Sequence, residues 1–112
     1  MGAMTTTSTE ALLVLVTVPN AETAERLAEA LVGERLAACV NVVGGVRSVY
    51  RWKGAIERDQ ELLCVCKTTR AGFERLRARV VELHPYELPE VIALPVAAGH
   101  APYLDWITAS VG

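Results

Sequence analysis

A chain of 112 residues has room for one compact domain, and 52% hydrophobic against 21% charged residues sets it apart from disordered chains. Eleven basic and thirteen acidic side chains leave a net charge of −2, which argues against the basic footprint needed for nucleic acid or an anionic membrane surface. Only 5% of residues are aromatic, so the apolar excess is Ala, Val and Leu, more than one small core hides easily, and this leans toward an oligomer.

Residues 1–9 are polar and read as a flexible start without the basic region of a secretory signal, residues 1–3 fitting a cloning scar ahead of Met4. Residues 10–112 contain no linker, internal repeat or low-complexity run and read as one domain. The longest apolar runs fall far short of the roughly 20 residues that cross a bilayer, so no membrane insertion is expected. Three cysteines, an odd number, suit free thiols in a reducing compartment, and the chain reads as cytoplasmic.

In chain order, residues 10–18 form a Leu/Val run stopped by Pro19-Asn20, as expected of a strand buried on both faces. Asn20 suits an N-cap, and Ala24, Leu27, Ala28 and Leu31 then place one apolar stripe on a helix that stops near Gly33. Residues 39–52 are rich in Val and aromatics, with a bulge or bend at Gly44-Gly45. Lys53-Gly54 supplies a tight turn into a second extended run at 55–68, giving a long hairpin. Thr69 is read as the cap of a helix carrying Phe73, Leu76, Val80 and Leu83, ended at His84 by Pro85. Residues 88–96 read as a last strand with Pro89 near its start, and Pro102 suits the first turn of a short closing helix with His100 as a cap substitute.

The order β-α-β-β-α-β plus a terminal helix is the split βαβ of the α+β, ferredoxin-like class, and right-handed crossovers put both main helices on one face of the sheet. A hairpin arm of about 14 residues at roughly 3.3 Å each reaches about 45 Å, beyond a domain of this size. Its overhanging edge is an aggregation hazard unless another copy pairs with it.

No nucleophile-plus-base motif, phosphate loop or zinc spacing appears, and the chain does not read as an enzyme or as needing a cofactor. Cys39 is either a small buried apolar residue or a ligand for a soft ion such as Cu(I). Cys64 and Cys66 share one strand face, where core packing competes with joint ligation of a soft metal. His84, held beside Tyr86 by the stiff Pro85, is either a metal ligand or base or a hydrogen-bonding residue at a helix end. Glu61 and Lys67 share the other strand face, and a covered Lys67 needs an acidic partner such as Glu90. Trp52 and Tyr50, on the overhanging arm, are expected at a subunit interface.

These segments carry a family resemblance. The stretches Val18-Pro19-Asn20, Leu36-Ala37-Ala38-Cys39-Val40-Asn41, Ser48-Val49-Tyr50-Arg51-Trp52-Lys53-Gly54, Lys67-Thr68-Thr69, His84-Pro85-Tyr86-Glu87-Leu88-Pro89-Glu90 and Tyr103-Leu104-Asp105-Trp106-Ile107, in this order, resemble the CutA divalent-cation-tolerance family. The resemblance implies a ferredoxin-like homotrimer built through the long hairpins, PII-like in architecture, and a role in tolerance of copper and other divalent ions. It also implies copper ligation at the histidine before Pro-Tyr, here His84. The two further ligand positions hold Val16 and Leu83, leaving Cys39 or a neighbouring subunit to complete a site. Lys67, Tyr86, Glu90, Glu61 and Trp52 are expected to gather at inter-subunit clefts. The alternative reading is a PII-like signalling module that binds a partner protein or small metabolite there.

Overall fold

The computed structural model describes residues 9–112. Seven elements follow one another: β1 (Ala11–Val18), α1 (Ala21–Gly33), β2 (Cys39–Trp52), β3 (Ala55–Thr69), α2 (Phe73–Leu83), β4 (Ile92–Pro95) and α3 (Ala101–Ser110). The strands form one sheet in the order β2-β3-β1-β4, all neighbours antiparallel, which is the ferredoxin-like arrangement anticipated from the element order. The flexible start expected at residues 1–9 lies outside the described residues except for Thr9, whose amide and hydroxyl both donate to the Val96 carbonyl at 2.9 Å.

Alternation along β1 explains the layering. Val14, Val16 and Val18 point to one face with Cys64 and Cys66 of β3, and all five are fully buried under α1 and α2. The helices contribute Ala24, Leu27, Leu31, Leu76 and Val80 to the same core. Asn20 caps α1 as expected, its side-chain oxygen accepting from the Thr23 amide at 2.8 Å. The opposite face is closed at the end where Ile107 of α3 packs with Ala11 and Ala38.

β2 and β3 pair along their length except for a register shift between Val43 and Val46, where Gly45 takes a φ of 78° that favours glycine. The turn is made by Lys53 and Gly54 with φ of 51° and 83°, positive at both centres as a type I′ turn requires. β1 stops pairing with β3 at the Val18–Leu62 pair, so residues 46–61 of the hairpin project beyond the sheet and stretch the molecule to 51 Å.

Two expectations are corrected. The last strand is Ile92–Pro95 and not the whole of 88–96, because the preceding segment leaves the sheet to lie over the end of β1. Thr69 ends β3 and does not cap α2; Gly72 holds the N-cap position, and the Thr69 hydroxyl instead accepts from the Gly72 amide at 3.0 Å. His100 does stand at the N-cap of α3, but its backbone carbonyl and not its ring receives the first helical amides.

Candidate functional site

The projecting hairpin and the segment after α2 enclose a groove of about 840 Å³, lined on one side by Tyr50, Trp52, Asp59 and Glu61 and on the other by Tyr86 and Glu90. The hairpin side follows from strand periodicity. Asp59 and Glu61 share the odd face of β3, and the register after the bulge sets Ser48 opposite Asp59 and Trp52 opposite Ala55. The other side is fixed by His84. Its Nε2 lies 2.8 Å from the Thr17 carbonyl, its Nδ1 accepts from the Tyr86 amide at 3.1 Å, and its ring leans on Tyr86 with centroids 4.6 Å apart.

That anchoring delivers the Tyr86 hydroxyl to Glu61, donating to Oε2 at 2.7 Å. Glu61 is thereby only 7% exposed although it is a carboxylate at the root of a projecting arm. Burial, and then the hydrogen bond to Glu61, hold the Tyr86 phenol well above its ordinary range. Further out, Tyr50 donates to Asp59, and this bond pushes the Tyr50 phenol up to about 12. Both phenols are therefore donors at any physiological pH.

The structure brings Glu61, Tyr86, Glu90, Tyr50 and Trp52 to one groove and stacks His84 behind it. Lys67 lies elsewhere. It sits four residues along β3 from Leu63, which pairs with Thr17, so about 13 Å of strand separates it from the His84 anchor. The carboxylate anticipated for it is replaced by Tyr103 of α3: Nζ donates to the hydroxyl at 3.1 Å and lies 5.3 Å from the ring centroid. Cys39 pairs with Lys67 across the ladder and belongs to that distant end. Cys64 and Cys66 lie in the core as free thiols, and burial pushes Cys66 up to about 12.

For a metal, the donors within one chain do not converge. Both ring nitrogens of His84 are engaged by backbone groups, and among the described residues no three His, Cys, Asp or Glu side chains group around one point. Asp59 and Thr17 were not singled out from the sequence. Asp59 had a readable signal, the two-residue spacing from Glu61; the Thr17 carbonyl had none, since a backbone acceptor is invisible in residue type.

Comparison with known proteins places this geometry in a family. Residues 12–110 match the model of the CutA1 divalent ion tolerance protein family. The chain belongs to that family. It is 54% identical over 100 residues to the divalent-cation tolerance protein CutA of Thermus thermophilus, covering 89% of this chain and 97% of that protein. The rice chloroplastic protein CutA 1 is 45% identical over 103 residues, which are 92% of this chain but 58% of that longer protein. The solved structure of the T. thermophilus protein superimposes with a TM-score of 0.89 at 53% identity, covering 91% of this chain and 99% of that one.

Proposed function

We propose that this protein is a cytoplasmic, non-enzymatic homotrimer that confers tolerance of divalent cations, with copper as the ion it responds to. The family match along residues 12–110 carries the tolerance reading. Assembly is supported by the uncovered half of the sheet, where Val43, Leu94 and Ile92 are 47%, 46% and 53% exposed beside half-buried Leu13, Leu15, Leu63 and Val65. An apolar sheet face with a projecting, unpaired β2 edge is what further copies would cover, and Tyr50 and Trp52 on the arm then meet a neighbour. Three free thiols suit the reducing cytoplasm.

Because one chain does not assemble three donors and keeps His84 and Cys39 far apart, a copper ion is held where copies meet, with His84 of one copy and Cys39 of another as the nitrogen and sulfur donors. His84 becomes available by releasing the Thr17 carbonyl. Native mass spectrometry with and without added Cu(II) reads subunit count and metal together. Three chains and saturable copper that weakens in His84→Ala and Cys39→Ser are expected. A monomer overturns the assembly; absence of saturable copper, or binding unchanged in both variants, overturns the metal site.

One observation favours a second reading, a signalling module that docks on a partner. Val49 and Ile56 near the hairpin tip are 63% and 59% exposed and lie on the face of the arm opposite Glu61. If the trimer leaves them bare, replacement of both by Ser should abolish a partner interaction while leaving assembly intact.

A further inference from the structure

The projecting arm carries charge of opposite sign on its two faces. Past the bulge, the register sets Val46 against Glu61, Ser48 against Asp59, Tyr50 against Glu57 and Trp52 against Ala55, so these residues share one face. The alternate rows, Arg47 with Gln60, Val49 with Arg58 and Arg51 with Ile56, share the other. One face therefore holds three carboxylates and two aromatic rings, and the other three guanidinium groups, two apolar side chains and no acid. The hydrogen bond from Tyr50 to Asp59 shows the acidic row gathered on one side, and the charges of Glu57 and Glu61 bear on the same phenol.

The basic face has no counter-charge within the chain. Arg58 lies opposite Val49, which makes Arg47 and Arg51 its diagonal neighbours at about 7–8 Å, and all three are exposed. Among the described residues none of the three forms a salt bridge or a side-chain hydrogen bond. Arg47 and Arg51 also border the groove on the acidic side, but neither bonds a carboxylate there. Val49 and Ile56 stand exposed between the arginines. A two-stranded ribbon is marginal in water by itself, and like charges crowded on one face weaken it further.

The two faces fit each other. Arg47 to Arg51 and Glu57 to Glu61 each span four residues of strand, about 13 Å, so the positive and negative groups occupy equal lengths of the arm. Tyr50 and Trp52 offer ring faces on which guanidinium groups rest well, and Val49 and Ile56 offer the apolar contact that the rings need. In one chain these faces point away from each other, so only a second copy can bring them together.

We propose that the basic face of each arm packs on the acidic face of the next copy's arm, Arg47, Arg51 and Arg58 of one meeting chiefly Glu57 and Asp59 of the other. The inference rests on the assembly reading and adds its polarity. The contact is head to tail, each copy turning one face to each neighbour, and a closed ring leaves neither face bare. It also covers Val49 and Ile56, which leaves the docking partner of the second reading no surface on the arm.

Sedimentation equilibrium and native mass spectrometry of the full chain test the pairing. Glu57→Lys with Asp59→Lys, or Arg47→Glu with Arg51→Glu and Arg58→Glu, puts like charge on both sides of the contact at exposed positions outside the core. Each set should raise the subunit dissociation constant roughly a hundredfold. A chain carrying all five changes has its faces exchanged in sign and should return to within about tenfold of the unaltered chain. Val49→Ser with Ile56→Ser should weaken assembly severalfold. The pairing is overturned if either reversed set assembles as the unaltered chain does, if the five changes together assemble no better than the sets they combine, or if the two serines leave assembly intact. An unaltered chain that is monomeric overturns the assembly reading itself, and the pairing with it.

Discussion

The two faces of the sheet are made by the same strands from nearly the same residue types, and they end in different states. On the even face Val14, Val16, Val18, Cys64 and Cys66 are fully buried beneath α1 and α2. On the odd face Leu13, Leu15, Leu63 and Val65 are half-buried, closed at one end by α3 and at the other by Tyr86 over Glu61, with nothing across the middle. Apolar alternation on both sides means that each face seeks cover, but two crossover helices on one side supply it once. The odd face is where the chain has apolar surface and functional side chains left over.

The three cysteines report the contrast directly, since Cys64 and Cys66 lie in the even-face core while Cys39 is half-buried opposite Lys67. Burial, with the neighbouring thiols adding, pushes Cys66 up to about 12, so at pH 8 its thiolate fraction is about a thousandfold below that of an ordinary thiol. A maleimide read out by mass spectrometry should label Cys39 first and Cys66 only as the chain opens. Equal rates at all three would show the odd face sealed as tightly as the even one. The same shift sets a pH dependence. The folded thiol is kept neutral, so its contribution to stability is complete below about pH 9 and is lost as pH rises toward 12, where the unfolded thiol ionises first.

Truncation gives the next largest effect. Leu31→Ala, at a fully buried position under the even face, should cost about 2–5 kcal/mol in urea unfolding at any protein concentration. Leu15→Ala removes a half-buried side chain from the odd face, and a lone chain should lose less than half of that. If copies cover the odd face, the cost of Leu15→Ala rises and its midpoint becomes concentration dependent. A small, concentration-independent cost would break the proposed assembly.

The even face was legible because it rests on local rules: helical spacing of Leu27 and Leu31, the Asn20 cap, strand alternation, and the two-residue turn at Lys53-Gly54. The hairpin's overhang was legible too, from strand length against domain width. What escaped depends on backbone groups and on distant elements meeting. The Thr17 carbonyl that holds His84 has no side-chain signature, and the Tyr103 hydroxyl that meets Lys67 comes from a helix 36 residues away. The early end of β4 escaped for the same reason: apolar Leu88 and Val91 look like strand, and only the tie from His84 to β1 explains why the chain crosses over the sheet before joining it.

That tie predicts a smaller, local loss. His84→Ala removes partners from both the Thr17 carbonyl and the Tyr86 amide and withdraws the ring from Tyr86, for a cost of about 1–3 kcal/mol. Hydrogen exchange should then rise across residues 84–90, with Glu61 uncovered, while protection in α1 and β1 stays. Uniform loss across the sheet would instead make His84 part of the common core.

The smallest effect tests whether the two faces act independently. α1 begins on the Asn20 side chain, whereas α2 begins at Gly72, where an added Cβ would come 2.8 Å from the Val111 side chain, so only Asn20 is a cap that can be removed cleanly. Asn20→Ala should cost about 1 kcal/mol by leaving the Thr23 amide without its acceptor. Combined with Leu15→Ala, which faces away from α1, the two costs should add to within about 0.5 kcal/mol in denaturant unfolding. Coupling well beyond that would mean that strain on the odd face is felt through β1 by the helix docked behind it, and that the covered and uncovered faces are one cooperative layer.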